Sequence, residues 1–111
     1  MSEIENLISR ALKLDEEIGY ADGGIVSKTL LDRQEGTITL FALSKGQNIS
    51  EHSAPHYALV QVLEGKGIFV IDDEEKEVAV GRSLIMPPHI PHAVKATEDF
   101  KMLLVMIKSK E

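Results

Sequence analysis

Gly81-Arg82-Ser83-Leu84-Ile85-Met86-Pro87-Pro88-His89-Ile90-Pro91-His92-Ala93-Val94-Lys95-Ala96 is the stretch on which the fold turns. Two short runs, Ser83 to Met86 and His92 to Ala96, flank a turn that holds three prolines. Short runs with Val, Ile and Leu, bounded by Gly and Pro, read as strands. Working outward, the same reading applies upstream to Lys76 to Val80, Ile68 to Asp72, Tyr57 to Leu63, Thr37 to Leu43 and Ile25 to Leu31, and downstream to Phe100 to Ile107. Gly36, Gly46, Gly65-Lys66-Gly67, Asp72-Asp73-Glu74-Glu75 and Gly81 supply the turns. Eight expected strands, about ten residues apart, describe an all-β sandwich or barrel rather than βαβ units.

The chain has 111 residues, room for one domain. At 43% apolar and 27% charged it is neither a disordered tail nor a collagenous repeat. A net charge of −6 lacks the field that draws proteins onto phosphate backbones or anionic membranes, so nucleic acid and membrane are not expected partners. With no Cys there is no disulfide, thiolate metal site or cysteine nucleophile. No apolar run reaches the roughly 18 residues of a membrane span. Met1-Ser2-Glu3-Ile4-Glu5 is acidic where a signal peptide is basic, and the expected compartment is the cytoplasm.

Ile4, Leu7, Ile8, Ala11 and Leu12 recur at helical spacing, Ser2 and Glu5 fit a capping box, and Gly19 can stop the helix. The spacing predicts a short N-terminal helix over residues 1–19, packed on a barrel of residues 20–111. Tyr57 to Leu63 and Phe100 to Ile107 are apolar at both odd and even positions, so both faces of these strands need cover. The helix covers one patch, and a second subunit is expected on another, making a homodimer.

Four histidines stand at 52, 56, 89 and 92. In extended chain His52 and His56 share the parity of Ala58, Val60 and Val62 and point to one interior. His92 opens a later strand, and it converges on the other two if strands 57–63 and 92–96 are neighbours. His89 reads as an exposed turn residue.

Two segments resemble the paired motifs of the cupin family. Gly81, five residues, Pro87 and then His92 match the second motif; Gly46, five residues, His52 and the run Val60-Gln61-Val62-Leu63-Glu64-Gly65 match part of the first. The resemblance implies an all-β, cupin-type jelly-roll barrel whose lumen, in many members, holds a divalent metal. Such members use two His one residue apart, a Glu four residues later and a His from the second motif. Here the second His position is Ala54 and the Glu position is Ala58, while His89 stands where Gly is usual and Ala96 where Asn is usual. His56 is the candidate replacement. His52, His56 and His92 then form a three-imidazole site for Zn, Fe, Ni, Cu or Mn, without a carboxylate and so dicationic. Such a centre acidifies bound water and attracts an anionic ligand.

Two functions follow. In the first, the protein is a metal-dependent enzyme on a small molecule, with Ala54, Ala58, Val60, Val62 and Met86 lining an apolar pocket beside the ion. In the second it is a non-catalytic ligand-binding or sensor module with a metal-free pocket. Gly65-Lys66-Gly67 lacks the helix a phosphate cradle needs, and the acidic stretch 72–77 lacks EF-hand spacing. No Gly-x-Ser-x-Gly elbow is present.

Overall fold

The computed structural model describes residues 7–108. Nine strands follow in order: β1 Ile25–Arg33, β2 Gly36–Leu43, β3 Asn48–His52, β4 Tyr57–Glu64, β5 Lys66–Ile71, β6 Glu74–Ala79, β7 Ser83–Met86, β8 His92–Lys95 and β9 Phe100–Ile107. They form a five-stranded sheet, β1-β2-β9-β4-β7, and a four-stranded sheet, β3-β8-β5-β6, with every pairing antiparallel. The two faces enclose one core, as in a jelly roll.

The inner face of the five-stranded sheet carries the even residues of β4 and β9. Ala58, Val60, Val62, Phe100 and Met102 pack there against Phe69, Val78 and Val94 of the other sheet. At one end the core is solid. Phe69 and Phe100 meet edge to face with centroids 6.2 Å apart, beside Leu43 and Val62. Gly67 is required here, because a Cβ on it would stand 2.6 Å from the buried Phe100 ring. Toward the other end the two sheets part and leave a cavity.

The outer face explains why β4 and β9 are apolar on both sides. Leu30, Leu40 and Ala42, with Leu63 and Leu103, form a second cluster that Leu7, Leu14, Ile18 and Tyr20 of the N-terminal segment cover. Among the described residues the expected helix does not continue past Leu7 to Gly19. Residues 1–6 lie outside the described residues. From Ile8 onward the chain turns, Ser9 takes a φ of 68°, and a single 3-10 turn, Leu14–Glu16, follows. The helical face would have buried Leu7, Ile8, Ala11 and Leu12 together, yet of these only Leu7 joins the cluster and Ile8 is exposed. Burial instead selects Leu7, Leu14, Ile18 and Tyr20, residues that an extended strap lays along the sheet. Tertiary contacts override local helical spacing.

Polar groups fix the strap. Lys101, buried on β9, donates to the Asp15 carbonyl at 2.6 Å and stands 3.8 Å from Glu64. Its ammonium lies 5.1 Å from the Tyr20 ring centre, and the Tyr20 hydroxyl donates to Glu64 at 2.5 Å. Beyond the strap the outer face stays open. Ile85, Leu59 and Val105 are paired successively across β7, β4 and β9, with Ile85 67% and Leu59 37% exposed.

Candidate functional site

β3 was not among the expected strands, and it builds the site. It pairs with β8, and His52 is directly opposite His92. The condition set for that convergence, that β4 and β8 are neighbours, is not met: they lie in different sheets, with β3 and β5 flanking β8. The register explains how β3 presents its histidine. Ile49 is opposite Val94 and His52 is opposite His92, so β3 spends three steps where β8 spends two. This is a bulge, and it brings odd-numbered Ile49 and even-numbered His52 to the same cavity. Parity therefore does not carry from His52 through to β4, because the chain bulges before His52 and crosses between sheets after it.

The turn after β7 completes the mouth. His89 takes a φ of 67°, the left-handed region, and its N–H donates to the Ala54 carbonyl at 2.7 Å. This ties the Pro87–Pro91 turn to the crossover between β3 and β4. His89 is exposed, as expected, and the backbone shape explains why Gly is usual at this position.

Each of the two paired imidazoles is oriented by a backbone carbonyl. His52 Nδ1 lies 2.9 Å from the Ser50 carbonyl and His92 Nδ1 lies 3.2 Å from the Ile90 carbonyl. A carbonyl only accepts, so a ring bonded to it carries its proton on Nδ1 and, when neutral, leaves Nε2 a lone pair. The two Nε2 atoms lie 3.1 Å apart, with ring centroids 4.3 Å apart. Burial pushes the His92 imidazole below the usual histidine range and His52 adds to this, with the Ile90 carbonyl pulling the other way. At this distance the two Nε2 atoms are joined either by a proton that one of them donates to the other or by a cation held between them.

Below the pair lies a cavity of about 290 Å³. Ala54, Ala58, Val60 and Met86 line it. Val62 does not: it is 1% exposed and belongs to the solid core beneath. His56 lines the same cavity, half-buried, from the crossover. The expected three-imidazole centre is not assembled, since among the described residues no three His, Cys, Asp or Glu side chains group closely enough to hold an ion. Ile25, Phe41, Ile49, Phe69, Val94, Met102, Leu104 and Met106 complete the wall. The even positions of Phe100 to Ile107 were the available signal for the β9 members. Apart from three imidazoles, the lining side chains are apolar.

Two facing antiparallel sheets with a histidine-rimmed chamber between them define a small β-barrel. The chain belongs to the cupin family, and the model of the Cupin domain matches residues 39–108. A conserved Streptococcus pyogenes protein of unknown function is 42% identical, covering 93% of this chain and 90% of that one, with a TM-score of 0.88. A Cupin 2 conserved barrel domain protein from Leptotrichia buccalis is 41% identical with a TM-score of 0.82; the match covers 85% of this chain but 46% of that one. A cupin superfamily protein from Desulfitobacterium hafniense is 26% identical over 91% of this chain and 93% of that one, with a TM-score of 0.86. No match is found among curated proteins. Among the described residues no helix is long and apolar enough to cross a membrane.

The four-donor metal centre that the family resemblance implies does not fit. Ala54 and Ala58 offer no donor at the places of the second His and the Glu, and both line the cavity as small apolar wall. What remains is the His52–His92 pair. Its 3.1 Å spacing matches two neighbouring ligands of one ion, each bonded at about 2.1 Å.

Proposed function

We propose that this cupin is a two-part luminal binding site: an ion anchor at the mouth, made by Nε2 of His52 and His92, above an apolar chamber for one small molecule. The observation that carries it is the pair of Nε2 atoms 3.1 Å apart, each on a ring whose Nδ1 faces a backbone carbonyl on the far side. The ion would supply positive charge to orient a polar or anionic end of the small molecule, while the wall of Ala58, Val60, Met86 and Leu104 takes the apolar remainder. Ala54 and Ala58 widen the chamber where larger ligating side chains would have filled it. No reaction is assigned, because cupin barrels serve several chemistries and fold does not choose among them.

One observation favours a second reading, a metal-free binding module: among the described residues no group of three or more His, Cys, Asp or Glu is placed to hold an ion. Elemental analysis of untagged protein and titration with Zn, Mn, Fe, Ni and Cu separate the two. The anchor predicts one ion per chain, lost on His52→Ala or His92→Ala. A chain that takes up no ion, yet gains thermal stability from a small molecule by mass action, belongs to the second reading.

We also propose that the open outer row of Ile85, Leu59 and Val105 pairs with a second copy of the chain. The row carries no charged side chain, so two chains of net charge −6 can meet there without bringing carboxylates together.

A further inference from the structure

We propose that the thioethers of Met86 and Met106 complete the ion anchor, and that the ion it takes is soft and monovalent, copper(I). This rests on the anchor reading above and names its missing donors. Ala58, at the position vacated by the family's carboxylate, is directly opposite Met86 of β7 on one side and Met106 of β9 on the other. Residues directly opposite in an antiparallel pair share a face, with Cβ atoms about 4.5–5.5 Å apart. Both methionines accordingly flank the vacated place and both line the cavity that His52 and His92 rim from the facing sheet. A methionine has three rotatable bonds and a polarisable sulfur, so it can reach over a neighbouring alanine as a branched side chain cannot.

Charge points the same way. The lining offers no carboxylate and the chain contains no thiolate. A divalent ion held by neutral donors keeps both its charges against an apolar wall, and the cost of burying charge rises as its square. A monovalent ion lowers that cost about fourfold on the same square law. Thioether and imidazole donors together suit copper(I), whereas Mn, Mg and Ca want carboxylate and carbonyl oxygen.

The test uses the full, untagged chain without oxygen. Copper(I) is titrated in competition with a chromophoric copper(I) chelator, and silver(I) serves as its redox-inert counterpart. The chain is labelled at the methionine ε-methyl groups, whose four signals are assigned by substitution. The proposal predicts one copper(I) per chain and a shift of the Met86 and Met106 methyl signals at one equivalent of silver(I). Met86→Leu and Met106→Leu keep the volume, and each weakens copper(I) by about tenfold or more. Unmoved methyl signals in the unsubstituted chain overturn it without relying on any variant. If Zn or Mn binds as tightly as copper(I), and the leucine variants match the parent, the thioether assignment fails while the histidine anchor stands. If no ion depends on His52 or His92, both fail.

Discussion

A carbonyl behind each ring decides what His52 and His92 offer in front, and the other residues of the mouth are placed by similarly small contacts. His89 holds a left-handed backbone to donate its N–H to Ala54. An L residue pays for that conformation, and glycine does not. His89→Gly is therefore expected to raise stability by about 0.5–1 kcal/mol in urea unfolding, the flexibility gained by the unfolded chain offsetting part of the relief. A lower urea midpoint would contradict the strain. Tyr20 gives a pH signature. Burial, then its hydrogen bond to Glu64, then the charges of Glu64, Asp99 and Glu98 raise its phenol well above the usual range. Unfolded tyrosine ionises near about pH 10, so this stabilisation is whole below pH 10 and falls as pH rises above it. Tyr20→Phe should lose about 1 kcal/mol at pH 8 and much less at pH 11, compared with the parent by urea midpoint. An equal loss at both values would contradict the assignment. His52 and His92 were legible as a pair from motif spacing alone. Their orientation was not, because it depends on where the Ser50 and Ile90 carbonyls lie in space.

At the scale of elements, the eight expected strands all form within a residue or two of their expected bounds, since β-branched runs between turn residues carry a strong local signal. The misses share a cause. Asn48-Ile49-Ser50-Glu51-His52 has one apolar residue and no alternation, and it becomes β3 only because β8 is there to pair with it. The bulge between Ile49 and His52 is set by that same pairing, so parity within one segment could not forecast which cavity wall His52 joins. The N-terminal segment errs the other way: its helical spacing is plain, but the chain leaves the helix after Leu7. With Leu14 and Ile18 the sheet buries Tyr20, a residue that the helical stripe of Leu7, Leu14 and Ile18 would turn away. Gly67 tests the packing of β5 on β9. Gly67→Ala would set a Cβ 2.6–3.0 Å from three atoms of the Phe100 ring, and should cost about 1–3 kcal/mol in thermal or urea unfolding. An unchanged midpoint would mean that the closed end of the barrel is looser than described.

For the molecule as a whole, the jelly roll keeps its dense core at the Phe69–Phe100 end and its chamber at the histidine end, so substitutions at the two ends should separate. Gly67→Ala acts on stability, and His52→Ala or His92→Ala acts on ion uptake. The uncharged outer row predicts a dimer mass in light scattering at micromolar concentration. Ile85→Lys together with Leu59→Lys should convert it to a monomer by burying like charges opposite one another. A monomer mass for the parent chain would remove the pairing. The central claim remains the pair of facing Nε2 atoms. It is tested most directly by long-range proton–nitrogen correlation of the histidine rings, recorded with and without one equivalent of silver(I). The account predicts Nδ1–H tautomers for both His52 and His92 in the free protein, and Nε2 signals of both that move together and stop at one equivalent. An Nε2–H tautomer on either ring, or a shift at one ring alone, would contradict it.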